Sequence, residues 1–203
     1  MKKLLLALLV LTSATVLAKF VAPHIPQGNQ RVCIDKVCSI LGSYKCNDKD
    51  EVLRVADACT RQLDLSCIES SMNKLSRYEY DSEDEILSLV KSCHYVKSRT
   101  LKMMTKNLSS YETDDLDEVI RLNDAAYLVQ PKCYKSAVKY LSNYKTDDLD
   151  EAVNISKMCQ GTFKKNCFEK LCSSSYKCDE PDEVRSVIYK CVDGPSLQDR
   201  RKL

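Results

Sequence analysis

The chain of 203 residues has no tryptophan, three phenylalanines, four glycines, five prolines and two histidines. So few glycines and prolines disfavour an all-β fold, which needs many tight turns. Neither His24 nor His94 has a Ser or Asp at catalytic spacing, and no G-x-S-x-G, H-E-x-x-H or glycine-rich phosphate loop occurs. Both histidines read as structural or surface groups, His94 as a cation suited to a helix C-terminus. Beyond the first 18 residues there is no long apolar run, so no later segment is a candidate membrane span.

The opening stretch MKKLLLALLVLTSATVLA has Lys2 and Lys3, an apolar run from Leu4, and Val16-Leu17-Ala18. That order is the pattern of an export signal, with cleavage expected after Ala18. Removing it leaves 29 basic against 29 acidic residues. A balanced charge argues against a general nucleic-acid binder. Twelve cysteines in an exported chain read as disulfides, and the expected location is secreted or periplasmic.

A repeat organises the remainder. Tyr44, Tyr78, Tyr111, Tyr144 and Tyr176 recur at intervals of 32 to 34 residues, each followed six residues later by Asp-Glu. Apolar residues then step by threes and fours, as in Ile86, Leu89, Val90 and Cys93, which marks one face of a helix. The segment before each Tyr steps likewise, as in Leu101, Met104 and Leu108. The expected fold is therefore all-α: about five tandem αα-hairpins of about 33 residues, α-solenoid-like and disulfide-stapled. The expected layout is a signal over 1–18, an extended lead-in over 19–31, the helical repeats over 32–192 and a flexible basic tail over 193–203. The five tyrosines are expected to pack between helices.

The acidic stretches YETDDLDEV and YKTDDLDEA read as helix starts. Asp48, Ser82, Asp115 and Asp148 stand three residues before Glu51, Glu85, Glu118 and Glu151, and Glu180 stands three before Glu183. That spacing is the capping box, in which the cap accepts from the third amide and the Glu reaches back. Pro181 suits a first helical position. A calcium loop would need a central Gly and a different ligand order. Catalytic carboxylates would have to recur in several units. No metal or cofactor is implied.

The repeat also suggests a cysteine pairing. Cys33, Cys67, Cys133 and Cys167 open the first helix of a unit, and Cys59, Cys93, Cys159 and Cys191 close the second. The third unit has Thr100 and Ala126 at those positions, both partners being replaced together. Two arms of about eleven residues, at about 1.5 Å each, return the chain to the same end of the hairpin. The expected bridges are Cys33–Cys59, Cys67–Cys93, Cys133–Cys159 and Cys167–Cys191. The end units add Cys38–Cys46 and Cys172–Cys178. Zinc is the rival for such a cluster, but no Cys-x2-Cys occurs.

Disulfide-stapled helical hairpins of this length resemble exported TPR-like and Sel1-like repeat proteins in architecture. The Gly and Ala positions of those motifs are absent, so no site is transferred. Asn107 and Asn154 lie in glycosylation sequons. Lys91, Tyr95, Lys97, Arg99, Lys102 and Lys106 form an acid-free basic stretch, a candidate docking patch for an anionic envelope surface, a glycan or an acidic partner. The third unit, without a bridge, is expected to be the softest joint. The expected function is a non-catalytic interaction or scaffold module. The alternatives are a small extracytoplasmic hydrolase, which needs a unique buried polar cluster, and a secreted effector binding a host or envelope component.

Overall fold

A computed structural model describes residues 28–42, 46–59, 63–76, 80, 82–141, 146–173 and 178–194. The expected signal segment, His24, Tyr44, Tyr78, Tyr144, Tyr176 and the terminal tail from residue 195 lie outside the described residues. Ten α-helices lie within them: α1 (Gly28–Leu41), α2 (Lys49–Ala58), α3 (Leu65–Met72), α4 (Glu83–Ser92), α5 (Ser98–Met104), α6 (Leu116–Ala126), α7 (Pro131–Tyr140), α8 (Leu149–Met158), α9 (Lys165–Leu171) and α10 (Pro181–Cys191). A 3-10 turn spans Ser110–Glu112.

Helices of seven to fourteen residues are marginal alone, so end-capping and packing must hold them. The even-numbered helices open in the acidic motif. Asp48 accepts from the amides of Asp50 and Glu51, at 2.8 and 2.9 Å. Asp148 accepts from the Glu151 amide at 3.0 Å. The full reciprocal box forms at Ser82–Glu85. At Asp115 the contacts are split: its side chain accepts from Asp117, while Glu118 accepts from the Asp115 amide. The expected box is thus complete in one unit and partial in others, because a cap oxygen can serve the second or the third amide. Pro181 opens α10.

Each odd helix packs on the even helix that follows it. The even helices also touch in series, α2 on α4, α4 on α6, α6 on α8 and α8 on α10. The odd helices do the same from α3 through α5 and α7 to α9. Val55, Ile68, Val90, Leu122, Ile155, Phe168 and Ile188 fill the space between the two rows. Two side chains tie neighbouring units at matching positions. His94 Nε2 donates to the Ala58 carbonyl at 2.8 Å, and Gln160 donates to the Ala125 carbonyl at 3.3 Å. Both serve the C-terminal carbonyls of an even helix, which lack partners within the helix.

Three features depart from the expectation. α1 begins at Gly28, inside the expected extended lead-in, where the Gln30 side chain donates to the Ala56 carbonyl. Two short antiparallel strands, β1 (Thr162–Phe163) and β2 (Val192–Asp193), clasp the last two units. Gly161 allows this, since a Cβ there would lie 2.6 Å from the Asp193 carbonyl oxygen. Tyr111 is 81 % exposed and does not pack between helices.

Six disulfides cross-link the chain: Cys33–Cys59, Cys38–Cys46, Cys67–Cys93, Cys133–Cys159, Cys167–Cys191 and Cys172–Cys178. Their Cα–Cα distances run from 5.4 to 5.7 Å. In the third unit Thr100 and Ala126 are buried at the corresponding ends.

Candidate functional site

The third unit departs from its neighbours in its core as well. Asn123 of α6 is fully buried. Its Nδ2 donates to Ser92 Oγ at 2.9 Å and to Ser71 Oγ at 3.1 Å. The Ser71 hydroxyl also lies 3.3 Å from Asn123 Oδ1, as donor. Ser92 donates onward to the Leu89 carbonyl at 2.7 Å. Three helices, α3, α4 and α6, are joined by one satisfied polar cluster. Burying such groups is tolerable only because each has a partner.

Above this cluster runs a groove of about 350 Å³ between α3 and α5, with α6 as its floor. Ser66, Ser70 and Asn73 line one wall, Lys102 and Thr105 the other, and Ser71 and Asn123 part of the base. Lys74 lies at one end, its Nζ donating to Thr113 Oγ1 at 3.4 Å. Burial holds the Lys74 ammonium below its ordinary pKa, since a charged amine loses water there. The groove therefore offers hydroxyl and amide groups with two cations, and one carboxylate, Glu69, which is paired with Lys36.

Asp64 sets the separation of the walls. Its Oδ1 accepts from the Ser66 amide at 3.0 Å and from the Ser66 hydroxyl, and its Oδ2 accepts from the Ser98 amide at 3.2 Å. One carboxylate thus caps α3 and reaches the first residue of α5. Burial alone would raise its pKa. The hydrogen bonds from Ser66 and Ser98 outweigh burial and hold it below the usual carboxylate value.

The sequence-defined basic stretch divides in space. Lys91 sits on α4 across a separate groove beside Leu53 and Asp57, with its Nζ 3.9 Å from the Asp57 carboxylate. Tyr95 lies in the turn after α4, half exposed at φ 60°, with its ring against Tyr127. Lys97 precedes α5, Arg99 and Lys102 lie on it, and Lys106 stands in the turn just beyond its end, all exposed. Lys91 is separated because it belongs to an even helix and the others to an odd one.

Of the sequons, Asn107 donates its amide to Thr146 Oγ1 at 2.8 Å, and Asn154 is exposed on α8.

The linear sequence reading missed Ser71 and Asn123. The repeat register holds a signal for both. The position of Asn123 is Ala56, Val90, Ser156 and Ile188 in the other units, and that of Ser71 is Val37, Met104, Ala137 and Leu171. Two polar residues at core positions of adjacent units, both beside the missing bridge, mark the place where this cluster forms.

No protein-family model, curated protein or solved structure matches the chain. Six disulfides fit an extracellular protein, and none of the described helices is long and apolar enough to cross a membrane.

Proposed function

We propose that this is an exported helical-repeat module that binds a partner rather than transforming a substrate. Its hairpins stack as a short solenoid, all but the third stapled at one end by a disulfide. The observation that supports this reading is the recurrence of one building block in one register. An even helix starts with Asp-Glu in its first turn, behind a capping Asp or Ser in four of five units, ends at a cysteine or its buried replacement, and packs on a neighbouring even helix. Stacking of equivalent hairpins leaves an extended outer surface on each row, and repeat proteins use such surfaces for recognition. The partner class that fits is another protein or an anionic envelope component.

The hydrolase alternative draws support from Lys74, a desolvated amine at the end of a polar groove. The two readings separate in one experiment. A photo-cross-linking residue is placed at an exposed position of the odd row, such as Lys135, and another on the even row, such as Leu53. Irradiation of the protein in its own compartment is expected to give a discrete adduct from one row. No adduct from either row, together with turnover of a model ester or peptide that Lys74→Met abolishes, would replace the module reading with the enzymatic one.

A further inference from the structure

The charges on the odd helices follow the repeat register in only part of the molecule. Thr100 of α5 stands where Cys133 stands in α7. Counted from there, Arg99 corresponds to Lys132, Lys102 to Lys135 and Lys106 to Lys139. In α7 the spacing of three then four residues keeps the triplet on one face of the helix, whereas in α5 Arg99 and Lys102 share a face and Lys106 stands in the turn just beyond its end. The two helices pack side by side. Six cations therefore stand in two matching rows. The α7 triplet spans seven helical steps, about 10 Å along the axis, and the two helices are about 8–10 Å apart at the backbone.

All six side chains are exposed, and none forms an ion pair with a described residue. Neither helix contains an acid. The cluster is also bounded. Glu69 of α3 and Glu169 of α9 occupy the register position of Lys102, and each is already paired, with Lys36 and Lys165. Beside α5 the cluster opens into the groove lined by Ser66, Ser70, Asn73 and Thr105, where the one acid, Glu69, is neutralised by Lys36.

These features select among anionic partners. None of the large exposed apolar side chains lies on α5 or α7. A bilayer-seated face would present such residues for insertion, and a protein interface would centre on an aromatic or aliphatic anchor. A flat bilayer would also meet Glu69 and Glu169 on either side. A polyanionic chain needs none of these, and a wall of hydroxyl and amide groups suits a ligand rich in hydroxyls. We propose that the α5/α7 face binds an acidic polysaccharide. Its sulfate or carboxylate groups would meet the six cations, and its hydroxyls the adjoining groove. This rests on the binding-module reading and names the ligand class.

The test is titration calorimetry of the full disulfide-bonded chain with a heparin hexasaccharide at two salt concentrations. Binding is expected to weaken steeply with salt, as ion release requires. Lys102→Gln with Lys135→Gln, both exposed and so safe for folding, is expected to weaken it by about tenfold or more. Lys91→Gln with Lys170→Gln removes the same charge elsewhere and is expected to change it less than about twofold. Ser70→Ala with Asn73→Ala is expected to weaken heparin binding but not binding of polyglutamate. Equal losses from both lysine pairs would overturn the site. Binding of polyglutamate, oligothymidylate or phosphatidylglycerol vesicles as tight as that of heparin would overturn the ligand class. Absence of heparin binding would overturn the proposal outright, while the cross-linking adducts above would still report on the module reading.

Discussion

Asn123→Ala is the most informative single perturbation of this fold. The side chain is fully buried and holds Ser71 and Ser92 together. Truncation affects its two partners unequally. Ser92 keeps its bond to the Leu89 carbonyl, so it loses only a donor to its oxygen. The Ser71 hydroxyl has no other partner among the described residues and would be left buried and unsatisfied. One stranded hydroxyl costs about 1–3 kcal/mol, and the cavity left by the carboxamide adds about 1 kcal/mol. The expected loss is about 2–4 kcal/mol, read from urea denaturation with the disulfides intact. Ser71→Ala alone should cost less, because Asn123 retains Ser92. The double variant should recover part of the sum, giving a coupling of about 1–2 kcal/mol in a double-mutant cycle. A double variant carrying the residues of other units, Ser71→Val with Asn123→Val, should be close to neutral, since both polar partners vanish together. An Asn123→Ala loss below about 0.5 kcal/mol, or additive single effects, would refute the view that this cluster joins three helices.

Peptide mapping without reductant is expected to recover the six bridges present in the structure; free thiols or a bound metal would contradict the extracellular reading. Replacing Cys133 and Cys159 by Ala opens a link of sequence separation 26 and should cost about 3.5 kcal/mol by loop entropy, more than the Cys172–Cys178 pair of separation 6, at about 2 kcal/mol; equal losses would count against that account. Asp64 has a folded pKa below its ordinary value, so its contribution is complete above about pH 3.8 and fades as pH falls through the lower folded value. Asp64→Asn should therefore remove part of the acid-induced loss of stability, and an unchanged acid limb would refute this role. Leu128 is half exposed at φ 54°, and Leu128→Asn is expected to raise stability by up to about 1 kcal/mol, because Asn accepts the left-handed region more readily; a lower urea midpoint would contradict it. Hydrogen exchange should show less protection in α5 and α6 than in α7 and α8, and equal protection would count against a soft third unit.

Much of this protein was legible without coordinates because its signals are local or periodic. A cap acts within one turn, so Asp48, Ser82, Asp115 and Asp148 mark helix starts from their neighbours alone. Apolar steps of three and four place Ile68, Val90 and Leu122 on buried faces. The paired loss represented by Thr100 and Ala126 suggested which cysteines belong together before any distance was measured.

The tertiary structure decided what no local signal encodes. It buried Asn123 against Ser71 and Ser92, which lie 52 and 31 positions away in the chain. It separated Lys91 from Lys97 and set Arg99, Lys102 and Lys106 beside a second triplet from the next unit. It left Tyr111 in solvent although the same residue recurs in every unit. The physical reason is shared. Helix formation depends on residues within about four positions, whereas exposure and charge clustering depend on which faces of separate helices meet. The amino-acid order sets the helices and their ends. Their packing decides where a buried amide, a polar groove and six cations come together.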